Sequence, residues 1–251
     1  MKSEPQEQIQ DWKQRLYQSY VTTGQAGSIA TRPEDTFRPR EAYVKHLIEH
    51  YLPPVRTVKV LDIGCGHGAM LYFLSQAGYT SAYGIDISFE QIAKARDLGI
   101  TNVDCCLASD YLQRSSDGEL DVVLLFDILE HLESQELFNM LDDLYRVLRP
   151  GGTCLIHVPN GQGIFGSGTL HGDLTHFRAF TKKSAEQMLA ATGFSNIECF
   201  EERPIPHGVK SFFRRLIWDI GTLPIRLLFA AESGSKNAIL SANLLVKCTK
   251  L

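Results

Sequence analysis

The chain has 251 residues, with 25 basic and 29 acidic side chains, a net charge of −4 and a pI near 6.1. That balance argues against a basic nucleic-acid-binding domain, so a nucleic-acid partner is not expected, and a hydrophobic content of 44% is ordinary for a protein with one sizeable core. The length fits one α/β domain with an insertion better than two full domains, and no apolar run reaches the ~18 residues of a membrane span.

Residues 1–39 read as a helical and loop extension, with Trp12, Leu16 and Tyr17 at helical spacing and a loop over 24–27. Residues 40–48 form an amphipathic helix stopped by Pro53-Pro54. Val58, Val60, Leu61 and Ile63 supply a strand covered on both faces, which runs into Gly64, Gly66 and Gly68. Met70, Leu71, Leu74 and Ala77 then repeat at helix spacing before Gly78. A second strand, 82–86, ends in Asp86, and Ser88 with Gln91 has the form of a capping box. A third strand covers 102–107, and 120–126, nearly all apolar, is a central fourth. A helix carries Leu137, Met140, Leu141, Leu144, Val147 and Leu148; Pro150-Gly151-Gly152 reads as the turn into a fifth strand at 153–158.

The loop at 159–180 is longer than the ~15 residues a compact domain usually leaves unstructured, which marks it as functional. Thr181 caps a helix over 182–191, and strands at 194–200 and 239–248 complete the sheet. Between these last strands lies an insertion at about 203–236, rich in Phe, Leu and Ile, with Lys210, Arg214, Arg215 and Arg226 interleaved. It reads as a helical hairpin packed on the core or on a second subunit in a homodimer. A lid for a lipid-linked substrate or a peripheral membrane contact is the other reading. The six cysteines include no C-x-x-C pair, and residues 1–10 are polar, so a reduced cytoplasmic setting, with association at the membrane surface, is expected.

Three glycines at alternate positions let a ligand approach the main chain, and Asp86 stands about 20 residues downstream, where a carboxylate can accept both ribose hydroxyls. Asp62-Ile63-Gly64-Cys65-Gly66-His67-Gly68 resembles the first motif, "D-x-G-C-G-x-G", of the class I S-adenosylmethionine-dependent methyltransferases. Leu148-Arg149-Pro150-Gly151-Gly152 matches a second recurrent feature, L-x-P-G-G. The resemblance spans about residues 40–202 and 239–250. It implies a Rossmann-like, seven-stranded, mostly parallel sheet with helices on both faces and a helical insertion before the last strand. The methyltransferase domain would run over 40–251. It also implies S-adenosyl-L-methionine as cofactor, with contacts from Arg40, Asp62, Gly64, Cys65, Gly66, Asp86, Ile87, Asp110, Tyr111 and Phe126. Within that set Arg40 would reach the methionyl carboxylate and Asp110 the adenine amino group.

Asp127-Ile128-Leu129-Glu130-His131 follows the fourth strand. If helical, Asp127, Glu130 and His131 share one face. The element resembles that of the ubiquinone-biosynthesis O-methyltransferases and, with Asp173-Leu174-Thr175-His176, the small-RNA 2′-O-methyltransferases. Both resemblances imply a divalent ion, Mg2+ or Mn2+, held here by Asp127, Glu130, His131 and His176. Asp127 stands where those families have a longer Glu. Without an ion, His131 or His176 is the candidate general base. Methyl transfer to an oxygen of a small metabolite, sugar or glycan is the expected activity. A polyprenyl phenol, an RNA terminus and a non-catalytic binding module remain as alternatives.

Overall fold

The computed structural model describes Leu16 and residues 30–251; Trp12, Tyr17 and the loop at 24–27 lie outside them. A seven-stranded sheet organises the chain in the order β3-β2-β1-β4-β5-β7-β6. In sequence these are β1 (Val60–Ile63), β2 (Ala82–Asp86), β3 (Val103–Cys105), β4 (Leu120–Phe126), β5 (Leu148–Pro159), β6 (Ser195–Glu201) and β7 (Asn243–Thr249). The first five pair in parallel and β7 runs antiparallel between β5 and β6. The chain order reverses between β1 and β4, and at such a switch point the strand ends leave a crevice for a ligand.

Alternation along the strands sends side chains to two apolar layers. Leu61, Ile63, Val123, Leu125, Ile156 and Val246 belong to one. Val60, Val122, Leu124, Leu155 and Leu245 belong to the other. Burial on both faces is why β1 and β4 read as continuous apolar runs.

Helices α1 (Pro33–Phe37) and α2 (Glu41–Tyr51) flank a single 3-10 turn, Arg38–Arg40. Then come α3 (Ala69–Gln76), α4 (Phe89–Asp97), α5 (Ala108–Arg114) and α6 (Ser134–Val147). The Ser88 hydroxyl accepts from the Gln91 amide as expected of a cap, but the other half of the box is missing. The Gln91 side chain turns instead to His67, its Oε1 3.1 Å from Nδ1. The L-x-P-G-G stretch is not a separate turn: it lies inside β5, with Leu148 already opposite Leu120 and a register shift taking up the bulge.

The loop at 159–180 contains a short helix, α7 (Gly166–Leu170), and closes at its base. Asn160 and Phe180 form an isolated bridge, and the Phe180 amide donates to the Pro159 carbonyl at 2.8 Å. After α8 (Lys182–Ala191) and β6, the insertion forms two helices, α9 (Val209–Gly221) and α10 (Leu223–Ser233), joined at Thr222. β7 begins at Asn243, later than the pattern predicts, because Leu240 and Ser241 are used to tether residues 201–202.

Candidate active site

The turn after β1 is built for a backbone approach. Gly64, Gly66 and Gly68 have φ of +74°, +55° and +89°, where a side chain is strained. A Cβ on Gly64 would stand 2.1 Å from Cδ1 of Ile128, so this turn and the turn after β4 are in contact. The Gly66 amide donates to Oδ2 of Asp86 at 2.8 Å, and the Ser88 amide to Oδ1 at 2.7 Å. A carboxylate has about four acceptor positions, so Asp86 retains capacity for a ligand's hydroxyls. Burial raises its pKa, and the two amides oppose that rise.

Asp62, on β1, is buried, and burial together with nearby Asp86 pushes its carboxyl up to about 8. A site holding two close carboxylates favours a cation or a polyhydroxyl group as neighbour. Arg40 ends the 3-10 turn before α2, and its charge is felt at Asp127 and His67. Ile87 and Leu107 are half-exposed apolar side chains at the ends of β2 and β3; Leu107 was not among the expected contacts. Asp110 lies in the first turn of α5 with an exposed side chain.

Two of the expected contact residues also pack within the protein. Cys65 is buried, its thiol pushed up by that burial, and it packs against Gly84; its amide donates to the Ile85 carbonyl at 3.0 Å. Its side chain therefore supports the turn from beneath. Tyr111, partly buried, stacks on Tyr83 with ring centroids 6.1 Å apart and packs against the core.

The residues after β4 do not form the expected helical turn. Asp127 takes a positive φ of 56°, and only Leu129–His131 are helical, as a 3-10 turn. This change of direction separates Asp127 from the other three predicted metal ligands. Its Oδ1 lies 2.6 Å from Nδ1 of His157 on β5. The buried His157 also meets Glu202 through Nε2, at 2.9 Å, and stacks on Phe126 with ring centroids 5.5 Å apart. Tyr43 of α2 donates its hydroxyl to Glu202. The two carboxylates hold the His157 imidazole well above its ordinary value despite burial. No sequence signal pointed to His157 or Glu202, because they are separated from Asp127 by 30 and 75 positions and meet only through strand pairing.

Glu130, His131 and His176 do come together, with one ligand atom from each within 4.8 Å of the others. The closed loop delivers His176: the Phe177 amide donates to the Glu130 carbonyl at 2.8 Å, and Nδ1 of His131 is 2.7 Å from the Thr175 hydroxyl. That hydroxyl donates to Asp173 at 2.6 Å, so it accepts from His131, which leaves Nε2 as the ring's acceptor nitrogen. Nδ1 of His176 faces the Thr169 carbonyl at 3.1 Å, a group that can only accept. Its Nε2 is therefore also the acceptor, 3.9 Å from Oε1 of Glu130. Both carboxylate oxygens of Glu130 are fully buried and have no hydrogen-bond partner among the described residues. Burial, reinforced by Asp127, pushes Glu130 up to about 8, while burial and His176 push His131 down to about 4. Two imidazoles and a buried carboxyl, each with a ligand atom within 4.8 Å of the others, are a donor set for a cation.

The chain matches the family described as "Methyltransferase domain" over residues 35–199. It is 32% identical over 106 residues to a ubiquinone biosynthesis O-methyltransferase of Methylococcus capsulatus, covering 41% of this chain and 44% of that protein. Over 107 residues it is 34% identical to a 2-methyl-6-phytyl-1,4-hydroquinone methyltransferase of Synechocystis, covering 42% and 32%. The chain thus spans less than half the length of these curated relatives. A SAM-dependent methyltransferase from Archaeoglobus fulgidus superposes with a TM-score of 0.64 at 26% identity, over 86% of this chain and 97% of that one.

Proposed function

This chain belongs to the class I S-adenosylmethionine-dependent methyltransferases, and from that premise we propose that it transfers the methyl group to an oxygen of a hydroxyl-bearing small molecule at a divalent-metal site. The observation that carries the reading is the contact between the two turns. Ile128 seats on Gly64, and the Glu130–His131–His176 group begins two residues further on. That contact supports an acceptor site adjoining the cofactor turn.

S-adenosylmethionine supplies, when bound, an electrophilic methyl group on a sulfonium. The glycine turn would admit it without side-chain obstruction, Asp86 would hold its ribose hydroxyls, and Asp62 and Arg40 would hold its methionyl ammonium and carboxylate. Glu130, His131 and His176 would hold the ion, which would supply acidity to an alcohol that is otherwise a poor nucleophile. Two imidazoles and one carboxylate suit Mn2+ better than Mg2+, which prefers oxygen ligands throughout. Asp127 is not in this set; it braces the turn through His157.

A phenol of the quinone pathways is the second reading, favoured by the two relatives above, whose names specify ubiquinone biosynthesis and a phytyl hydroquinone. Labelled cofactor offered with catechols, polyprenyl phenols, sugars and glycans, with and without chelator, tests both. Transfer to oxygen that chelation suppresses is expected. Label found on nitrogen or carbon alone, or full turnover in chelator, would sink the corresponding half of the reading.

A further inference from the structure

The α9–α10 hairpin is amphipathic in the wrong sense for a helix packed on its own protein. On α9, Val209, Phe212, Phe213, Leu216, Ile217 and Ile220 recur at helix spacing, and all are exposed, Ile217 by 70%. Of the residues of α9 only Ser211 is buried. Ser211 is 5% exposed, its hydroxyl accepting from the His207 amide and donating to the Gly208 carbonyl, and Thr222 is likewise buried. On α10, Leu227 and Leu228 are each 71% exposed and Leu223 stands out beside them. Ten of the twenty large hydrophobic side chains exposed among the described residues fall in this one hairpin. Scattered apolar residues are normal on a surface; a concentration of this kind marks an interaction face.

The charges decide what covers it. Val209–Ser233 carries four basic side chains against two acidic ones, a net of +2 in a chain of net −4. Arg215 is paired with Asp219 at 2.7 Å and Arg226 with Glu201 at 2.6 Å. Lys210 and Arg214, exposed along one flank of the apolar stripe, pair with no carboxylate among the described residues. A second copy docking through the same patch would set like charges against each other. An anionic lipid surface neutralises them while accepting the apolar stripe. α9, at 13 residues, is ~20 Å long, short of the ~30 Å hydrocarbon core, and no described helix is long and apolar enough to cross a membrane.

We propose that the α9–α10 hairpin lies in the headgroup region of an anionic phospholipid surface, with Phe213, Ile217, Leu227 and Leu228 inserted and Lys210 and Arg214 at the phosphates. The hairpin is rooted beside the candidate site. Arg226 grips Glu201, and the next residue, Glu202, holds His157.

The test is sedimentation of the full chain with vesicles of phosphatidylcholine alone or with about 30% phosphatidylglycerol. Binding that requires the anionic lipid is expected. It should fall on the order of tenfold or more in Leu227→Ser/Leu228→Ser, and about fivefold for each of Lys210→Glu and Arg214→Glu. Cofactor affinity measured by calorimetry should stay unchanged, which shows that the variants fold. No sedimentation, equal binding to neutral vesicles, or unchanged binding by the variants overturns the proposal. So does a dimer in light scattering that fails to bind vesicles and that Leu227→Ser/Leu228→Ser dissociates, since a second copy would then be what covers the face.

Discussion

The amide of Gly66 donates to Oδ2 of Asp86 at 2.8 Å, across twenty positions of sequence. This bond joins the turn after β1 to the end of β2 and aims the carboxylate over the glycine cradle. The same carboxylate also accepts from the Ser88 amide at 2.7 Å, so one side chain ties the turn after β1 to the start of α4.

Asp86→Ala should therefore weaken cofactor binding on the order of a hundredfold, the scale of losing two hydrogen bonds to a charged acceptor. Calorimetric titration with S-adenosylhomocysteine measures it. An unchanged affinity would remove Asp86 from the ribose-binding role.

Gly64→Ala forces a Cβ into Ile128 at a φ of +74°. The cost should be about 2–4 kcal/mol, part from backbone strain and part from overpacking. Combining it with Ile128→Ala should recover the steric part, as a coupling of about 1–3 kcal/mol in denaturant unfolding. Strict additivity of the two changes would mean that the turns do not touch.

The carboxyl of Glu130 is buried without a hydrogen-bond partner among the described residues, so its place in the metal-free protein is a cost. Its pKa, raised to about 8, means that the folded state keeps a proton that the unfolded chain releases near 4.5. Stability from this group is accordingly lost as pH rises from about 4.5 to 8. Glu130→Met should stabilise the metal-free protein by about 1–3 kcal/mol at neutral pH and flatten that slope, while abolishing Mn2+ binding. A destabilised variant that still bound Mn2+ would contradict both halves.

His157 is raised for the opposite reason: Asp127 and Glu202 favour its charged form. Its stabilisation is complete below about pH 6.5, the value for an unfolded His, and is lost as pH climbs through the folded value. His157→Gln should cost about 2–4 kcal/mol near pH 6, moderated because the Asp127 side chain is 56% exposed, and less under alkaline conditions. A deficit that widened as pH rose would show that the imidazole is neutral.

The sequence by itself determined the strands, most helix boundaries and the glycine turn after β1. Those features rest on local physics: apolar runs that must be covered on both faces, glycines where only positive φ will serve, and hydroxyls that cap helices. It also nominated Glu130, His131 and His176, since two motifs carry them. Only the tertiary structure decided that Asp127 turns away to His157, that Tyr111 packs on Tyr83, and that the hairpin shows its apolar face outward. The first rests on one backbone angle, and the others on how segments far apart in sequence pack. Neither leaves a period or a spacing in the chain for a reader to find.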